Sequence, residues 1–270
     1  MSNPIRHHYV PQCYLKKFSL DKETVNFYDK QEHILDNKKI DRICQIENLY
    51  SLSQSETYYI ETTFFANNNE DKLGKILANF EKINDNFTEL SYDKNQRKNL
   101  SKQLVLQYKR TPLYRDIKSK YELNAFYEQL KCLFEILNFE VEEIEYKANN
   151  KAEFHKTLLL EEIEDIISEI SEADWELLYT PTGEFYTSDN PIVIKAREDM
   201  PVAYCDAIEF FSEIYYPLNS NLLLHITAKS PTSVKKIPIR ICKEEEEILL
   251  INEQIKKNAV KYVIYLYQFK

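Results

Sequence analysis

The chain has 270 residues, 43% of them hydrophobic, which suits one large domain with a sizeable core and argues against a disordered protein. A net charge of −9 argues against a protein that coats duplex DNA with a broad basic surface. With only two glycines, the sequence excludes glycine-rich phosphate or dinucleotide loops and the Gly-x-Ser-x-Gly turn of serine hydrolases, and its five cysteines include no Cys-x-x-Cys pair.

Hydropathy along the chain bears on the compartment. No apolar run approaches the ~20 residues that a membrane-spanning helix needs, and the first residues lack the pattern of a signal peptide. The absence of a disulfide pattern agrees with a reducing environment. We therefore expect a cytoplasmic protein without a membrane partner.

The N-terminal region, 1–55, predicts an arm followed by short elements. Residues 1–10 have the character of an arm or loop, and Pro11 suits the first turn of a short helix because its missing N–H costs nothing there. Alternating apolar residues predict short strands over 24–30 and 48–52.

The middle region, 56–172, shows the hydrophobic period of helices over most of its length. The asparagines at 67–69 should interrupt this pattern, with Asn69 as the N-cap of the next helix. Pro112 should break or kink the chain again. The predicted helices cover 58–66, 70–90, 95–110, 113–138 and 153–172, and residues 139–150 form an acidic connection.

The C-terminal region, 173–270, has mostly strand patterns. Pro181 and Gly183 between two apolar segments predict a β-hairpin. Further strands are predicted in PIVIK, FSEIYYPL and NLLLHIT, followed by a helix over 244–262 and a last strand in YVIYLYQF. The sequence therefore predicts a single α+β domain over 1–270, in which the helical middle packs against a mostly antiparallel sheet formed by the N-terminal and C-terminal regions.

The adjacent pair His7 and His8 is the first candidate for chemistry. Two histidines can supply a general base and a general acid near neutral pH, or ligands for a metal ion. Adjacent side chains of an extended strand point to opposite faces, so both reach one site only where the backbone bends. From these two residues alone, a structural role is favoured, in which one packs and the other is solvated. His33, His155 and His225 have no partner at an informative spacing.

Glu61 and Glu70 are candidate carboxylates for binding a divalent ion or exchanging protons. Nine residues at about 100° each leave them on opposite sides of a continuous α-helix. They converge only if the helix breaks at the asparagines, and the alternative is a pair of solvated carboxylates at helix starts.

The segment QYKRTPLYR places Gln107 and Arg110 on one helix face, with Arg115 beyond the proline. Two arginines around a proline kink could clamp a phosphate or a carboxylate. Pairing with the many acidic side chains of an anionic chain explains them equally well.

In FYTSDNPIVIK, Asp189 and Asn190 stand between two apolar strands and before a proline. An Asx turn explains these residue types. In the functional alternative, Asp189 lies at a strand end and acts as a base, a metal ligand or a group that orients a histidine. Ser188 lacks the flanking glycines of a nucleophile turn.

The order of these segments resembles a known group. HHYVPQCYLKKF at the start, RTPLYR in the middle, FYTSDNPI after the tryptophan and a late PLNSNLLL are similar to the bacterial family catalogued as domain of unknown function 4238, over nearly the whole chain. The resemblance brings no established reaction. It implies that the family's signature positions include His7, His8, Pro11, Gln12, Arg110, Arg115, Asp189, Asn190 and Pro191. Scattered polar positions are hard to explain by packing alone, so we expect them to share a polar pocket.

These residue types favour a hydrolase, specifically a nuclease or nucleotide-cleaving, toxin-like enzyme of a bacterial or phage conflict system. RNA, a nucleotide or another small anionic ligand is the expected partner; a divalent metal could serve as cofactor, and no metal ligands are assigned. The competing interpretation is a non-catalytic module that senses a small anionic ligand or a partner protein, and a purely structural subunit would have no pocket that joins the motifs. The expected catalytic residues are His7, His8, Glu70 and Asp189, and the expected substrate-binding residues are Gln12, Gln107, Arg110, Arg115 and Asn190.

Overall fold

The computed structural model describes residues 5–51, 59–120, 132, 151–161, 163–198, 207–228 and 236–270. Buried apolar side chains from the three regions of the sequence pack in one main cluster, which includes Leu15, Leu104 and Leu224. Across the described ranges, none of the helices combines the length and the apolar character required to cross a membrane.

The N-terminal region contains four short strands. The strand predicted over 48–52 is wrong: residues 48–50 form a turn, and the strand lies just before it. Positive φ angles at Cys44 (53°) and Asn48 (56°) reverse the chain on either side of that strand. The elements are β1 (Arg6–His8), α1 (Gln12–Leu15) continued by a 3-10 turn (Lys16–Phe18), β2 (Thr24–Asp29), β3 (Ile34–Lys39), a second 3-10 turn (Ile40–Arg42) and β4 (Gln45–Glu47).

The asparagine run does not interrupt the helix, and Asn69 is not an N-cap. A wide, π-type helix covers Ile60–Glu70 and continues without a break into α2 (Asp71–Phe80). Inside it, the Asn69 amide donates to the carbonyl of Phe64, five residues earlier. The asparagine side chain therefore supports the helix from within.

Helix α2 ends at Phe80, ten residues before the predicted end, because Asn84 forms a turn: its side chain accepts from the N–H of Asn86 (3.0 Å) and its carbonyl from that of Phe87 (3.0 Å). Leu90 then lies in strand β5 (Glu89–Ser91). Helix α3 (Lys94–Lys109) is confirmed, and it begins with a capping box between Asp93 and Gln96.

The break at Pro112 is confirmed. Helix α4 restarts at 112–120, with Pro112 in its first turn and the Thr111 hydroxyl accepting from the N–H of Tyr114 (3.3 Å). The rest of the helix predicted over 113–138, apart from residue 132, and the acidic connection 139–150 lie outside the described residues. The single helix predicted over 153–172 is two helices, α5 (Lys151–Leu160) and α6 (Glu164–Glu172).

The six-stranded sheet has the order β5-β11-β6-β10-β9-β8, and every neighbouring pair is antiparallel except the parallel pair β11 and β6. Trp175 on β6 lies opposite Ile226 on β10, and both are buried. The strands are β6 (Asp174–Tyr179), β8 (Val193–Ala196), β9 (Phe211–Asn219), β10 (Leu222–Thr227) and β11 (Lys236–Ile241).

A four-stranded sheet of order β3-β2-β12-β7 joins the two ends of the chain, through β7 (Thr187–Ser188) and β12 (Tyr262–Tyr265). The predicted hairpin is therefore wrong, because β6 and β7 belong to different sheets. The turn itself exists, with Gly183 at φ +69°, and it carries the chain from one sheet to the other. Helix α7 (Glu245–Asn258) packs beside this sheet, and the fold is α+β, as the sequence predicts.

Candidate functional site

Strand β1 holds the histidine pair against β4. His7 lies opposite Ile46 and His8 opposite Gln45, and the N–H of Tyr9 donates to the Cys44 carbonyl (3.0 Å). Both histidines are buried, so neither is the solvated residue of the structural alternative.

His7 is bound to the turn after β4. Its Nδ1 accepts a hydrogen bond from the N–H of Tyr50 (2.9 Å), and its ring stacks on the Tyr50 ring at a centroid distance of 5.6 Å. Since Nδ1 is the acceptor, the proton of the neutral ring is on Nε2. These two contacts fix the backbone of β1 and thereby the position of His8.

His8 faces Arg110. Burial and the Arg110 charge lower the pKa of His8, whereas Glu70, the Ile40 carbonyl and Asp41 raise it to a smaller extent. The Nε2 atom of His8 is buried and has no hydrogen-bond partner among the described residues. His8 is therefore a neutral imidazole near pH 7 with a nitrogen available to a ligand.

Arg110 joins three segments of the chain. It lies at the end of α3 with its side chain 3% exposed, and its Nη2 donates to the Glu70 carboxylate (2.9 Å) and to the His8 carbonyl. The guanidinium carbon lies 3.9 Å from the centroid of the Phe65 ring. Its Nε atom is buried and has no partner within the described ranges.

The wide helix brings Glu61 and Glu70 to the same side. A π-helix has about 4.4 residues per turn, so nine residues make close to two full turns, whereas an α-helix would place the two side chains opposite each other. The expectation that only a broken helix lets them converge is therefore wrong. Arg110 interacts electrostatically with both carboxylates, and the N–H of His8 donates to Glu61.

Glu61 has a strongly shifted pKa. Burial raises the pKa of Glu61 to about 7; Arg110 and the hydrogen bond from His8 lower it, and Glu70 raises it further. Its Oε2 atom is buried, without a partner among the described residues. Near neutral pH this carboxyl group is close to half protonated and can donate or accept a proton.

Gln107 ties α3 to the chain after β1, because its amide donates to the Tyr9 carbonyl (3.0 Å). A cavity of only about 10 Å³ lies beside it, lined also by Pro11, Phe65, Glu70 and Arg110. The Glu70 side chain is 27% exposed, so the site reaches the protein surface at this carboxylate.

Gln12 and Arg115 lie at the edges of this group. Gln12 begins α1 directly after Pro11 and is partly buried. Arg115 on α4 pairs with Asp116 (2.8 Å), and its charge acts on Tyr50 and His155. Arg115 therefore lies near Tyr50 and His155, at the edge of the site formed by α4.

Asp189 holds two strands together. Its carboxylate accepts from the N–H groups of Val260 (2.9 Å) and Lys261 (2.8 Å), and its own N–H donates to the Tyr262 carbonyl (3.0 Å). Burial raises its pKa to about 6, and these N–H groups lower it. The charge of Asp189 acts on Tyr9, the residue after His8, and the hydrogen bonds described for Asp189 join it to backbone groups.

Asn190 exchanges hydrogen bonds with the end of α7. Its amide donates to the Asn258 carbonyl (3.2 Å), and the Asn258 amide donates to the Asn190 carbonyl (2.8 Å). These contacts explain the polar residues of TSDNP through the packing of sheet and helix. We therefore leave Asp189 and Asn190 out of the proposed site.

Sequence reasoning missed three residues that support the site from its edges: Tyr50, Phe65 and His155. The Tyr50 hydroxyl donates to the Arg110 carbonyl (2.7 Å), and His155 Nε2 donates to the Lys109 carbonyl (2.8 Å), so both hold the end of α3. Burial lowers the pKa of His155 to about 4. The partners of Tyr50 and His155 are backbone carbonyls and that of Phe65 is the Arg110 guanidinium, and such long-range contacts leave no pattern in a sequence.

We call the group of His7, His8, Glu61, Glu70, Gln107 and Arg110 the polar site. In the part of the chain that the structure describes, no three His, Cys, Asp or Glu side chains are grouped to hold a metal ion. The polar site contains the histidines of HHYVPQ and the first arginine of RTPLYR, two of the segments in the predicted resemblance. A family model described as a protein of unknown function, DUF4238, matches residues 6–268.

The chain belongs to the DUF4238 family. The match covers nearly the whole sequence and confirms the predicted resemblance. No curated protein and no solved structure matches the chain. The polar site of this DUF4238 protein must therefore be interpreted from its own geometry.

Proposed function

We propose that this DUF4238 protein is a hydrolase that cleaves phosphoester bonds of RNA or nucleotides, with His8 as general base and Glu61 as general acid. One observation carries the proposal: three buried polar atoms of one site, His8 Nε2, Glu61 Oε2 and Arg110 Nε, have no protein partner among the described residues. An unpaired buried polar atom costs about 1–3 kcal/mol, so a ligand that pairs these atoms gains binding energy.

The protonation states suit acid–base chemistry. His8 is neutral near pH 7 because burial and Arg110 lower its pKa, and Glu61 retains protons because burial raises its pKa to about 7. A base and an acid are both in their active forms at a pH above the pKa of the base and below the pKa of the acid, and these two shifts place neutral pH in that range. If Glu61 and Glu70 were solvated carboxylates at helix starts, burial would not raise the pKa of Glu61.

The proposed reaction uses three side chains. His8 Nε2 takes the proton of the attacking hydroxyl, from water or from a ribose, as the new P–O bond forms. The bond to the leaving oxygen breaks, and Glu61 gives its proton to that oxygen. Arg110 stabilises the charge that develops on the phosphoryl oxygens, and Glu70 holds the guanidinium in place.

The proposal includes a biological role. An enzyme that cleaves cellular RNA or nucleotides in the cytoplasm acts as a toxin, and we propose that the protein serves a bacterial or phage conflict system in this way. No residue of the polar site distinguishes self from foreign RNA, so this role follows from the substrate and not from the geometry.

A second candidate is a non-catalytic sensor of a small ligand. The observation in its favour is that Glu70 already neutralises Arg110 and that His7 and Arg110 both bond to backbone atoms. In this version the site binds its ligand through the unpaired atoms and performs no turnover.

The test is cleavage by the purified full chain. Single-stranded RNA, DNA and nucleotides are incubated with wild type and with His8→Ala, with and without Mn²⁺ or Zn²⁺. Loss of general base catalysis should lower the cleavage rate by about 100-fold or more. His225→Ala is the matched control, because His225 lies on β10 beside Glu176 and Glu213, outside the polar site.

Two outcomes would reject the proposed mechanism. Equal cleavage by wild type and His8→Ala would remove His8 from the mechanism. Binding of a nucleotide to wild type without turnover of any substrate, and loss of that binding in Arg110→Lys, would support the sensor.

A further inference from the structure

A second cavity, away from the polar site, lies between the turn after β6, the first half of α7 and residues 266–270. Its volume is about 140 Å³. Cavities of about this size accept one benzene-sized molecule when their walls are apolar. Five of the twelve residues that line it have apolar or aromatic side chains: Tyr186, Ile248, Leu249, Leu266 and Tyr267.

Hydrogen bonds hold the three walls together. Asn252 is 3% exposed; its Oδ1 accepts from the N–H of Tyr186 (3.0 Å) and its amide donates to the Glu184 carbonyl (2.8 Å). The Tyr186 hydroxyl donates to the Gln268 carbonyl (3.0 Å) and accepts from the N–H of Lys270 (2.7 Å). The cavity is therefore formed by fixed elements of the fold.

Gly183 keeps the wall at Tyr267 in place. At φ +69°, an added Cβ would lie 3.2 Å from the Tyr267 ring and 3.3 Å from Leu266. One of the two glycines of the chain thus stands where a side chain would push these walls inward.

Two carboxylates stand at the mouth of the cavity. The Lys270 ammonium lies 2.7 Å from Glu245 Oε1 and 3.5 Å from Glu184 Oε1, and the Thr182 hydroxyl donates to Glu184 Oε2 (2.6 Å). Lys256, also on α7, pairs with Glu253 (2.6 Å) and donates to the Lys270 carbonyl, and this ion pair adds no net charge beside the mouth. One ammonium therefore serves two carboxylates at the mouth, which retains a net negative charge.

An external ammonium group can replace that of Lys270 at these carboxylates with little loss of folding free energy. The side chains of Lys270, Glu184 and Glu245 are 37%, 34% and 65% exposed, and ion pairs with this much exposure contribute little to stability. The contacts of the Lys270 ammonium show that Glu184 and Glu245 together bind an ammonium group. An external ammonium with an apolar group would gain the same contacts and would also fill the cavity.

We propose that this cavity binds a small primary amine with one ring-sized apolar group, its ammonium between Glu184 and Glu245 in place of the Lys270 ammonium. The apolar group lies against Ile248, Leu249 and Tyr186. The site is independent of the proposed hydrolase activity, because none of these residues belongs to the polar site.

The test is a titration of the full chain with 2-phenylethylamine, followed by amide chemical shifts. We expect saturable shifts confined to residues 182–186, 245–252 and 266–270. Glu245→Gln should weaken binding by about tenfold, because it removes a charged hydrogen bond. Lys270→Ala should tighten it, since the competing ammonium is absent.

The controls separate the ammonium from the ring. Glu246→Gln, in the same first turn of α7 and outside the cavity, should leave the affinity unchanged, and Leu249→Trp should abolish binding by filling the cavity. The proposal is overturned by equal affinity for the neutral 2-phenylethanol, by unchanged affinity in Glu245→Gln, or by the absence of saturable binding in both wild type and Lys270→Ala.

Discussion

Arg97 and Arg110 are both buried, but Arg97 serves packing whereas Arg110 belongs to the polar site. Arg97 is 1% exposed, stacks on Trp175 at 4.3 Å, and donates to the carbonyls of Ser171 and Ala173. Arg110 is almost as deeply buried and also stacks on a ring, but it pairs with Glu70, and its Nε has no partner among the described residues. The two residues form a matched pair for experiments.

The first prediction compares Arg110→Lys with Arg97→Lys. Lysine lacks the planar fork, so each change should lower the free energy of unfolding by about 1–3 kcal/mol in urea titrations. Only Arg110→Lys should abolish substrate cleavage at a temperature where both variants are folded. Loss of cleavage in both variants to the same extent would reduce Arg110 to a packing role.

The second prediction concerns Glu61 and pH. Burial raises its pKa to about 7 in the folded protein, above the usual value of 4.5, so folding takes up a proton between these values. The stability of wild type relative to Glu61→Gln should therefore fall as the pH rises from about 4.5 to about 7, by up to about 3 kcal/mol, and then stay level.

Urea unfolding at several pH values measures this difference. The exposed Glu209→Gln is the control, and its curve should run parallel to that of wild type. A wild-type curve parallel to that of Glu61→Gln would show that the Glu61 carboxyl group is not buried as described.

At the residue scale, the sequence predicted the members of the polar site whose types are unusual for their position. Arg110 contacts His8 and Glu70, and His7 and Gln107 bind the adjoining backbone, while the role of these five residues in one functional site stays a prediction. Asp189 could not be separated from them in advance, because an aspartate that accepts backbone N–H groups and a catalytic aspartate have the same local sequence. Only the pairing of β7 with β12 shows which donors surround it.

The wide helix Ile60–Glu70 is the element that creates the carboxylate pair. Long π-helices are rare, and π-type turns occur frequently at functional sites. The helix turns more slowly than an α-helix, so Glu61 and Glu70 share one side and both act on Arg110. Propensity rules predicted a break at the asparagines because they do not account for the bond from Asn69 to the Phe64 carbonyl.

The third prediction is a one-residue deletion in this helix, at position 68. It should shift Glu61 by about 80–100° around the axis relative to Glu70. Cleavage should be lost, and the pKa of Glu61 should move toward its usual value, while circular dichroism shows an unchanged helix content. Full activity in the deletion variant would exclude a role for the alignment of the two carboxylates.

The fourth prediction concerns the end of α3, where Tyr50 and His155 hold two backbone carbonyls. Tyr50→Phe leaves the Arg110 carbonyl without its donor and should cost about 1–2 kcal/mol of unfolding free energy. Tyr267→Phe is the control, because its ring is 62% exposed, and it should have no measurable effect. Thermal unfolding of the two variants measures the difference, and equal midpoints would contradict the described bond.

Local patterns predicted the elements that depend on local sequence, and failed where pairing is long-range. Helix α3 carries Leu100, Leu104 and Tyr108 on one face, and strands β9 and β10 are rich in apolar and aromatic residues, so each was predicted correctly. The supposed hairpin partner of β6 instead pairs with β12, about 75 residues further along the chain. No pattern of local residues contains that information.

At the scale of the whole molecule, the fold brings distant segments to one place. Strand β12 near the end of the chain pairs with β2, which fixes the N-terminal region beside the helices. Arg110 then connects the His8 carbonyl, at the end of β1, with Glu70 of the wide helix. The polar site therefore depends on the complete fold, and we expect isolated segments to lack it.

The pH dependence of RNA cleavage by wild type and Glu61→Gln tests the proposed mechanism most directly. We expect a bell-shaped profile for wild type, which declines at low pH as His8 becomes protonated and above about pH 7 as Glu61 loses its proton. In Glu61→Gln the rate should fall by about 100-fold and the alkaline decline should disappear. A folded wild-type protein that leaves RNA and nucleotides intact at every pH, or a Glu61→Gln variant with the wild-type profile, would contradict this mechanism.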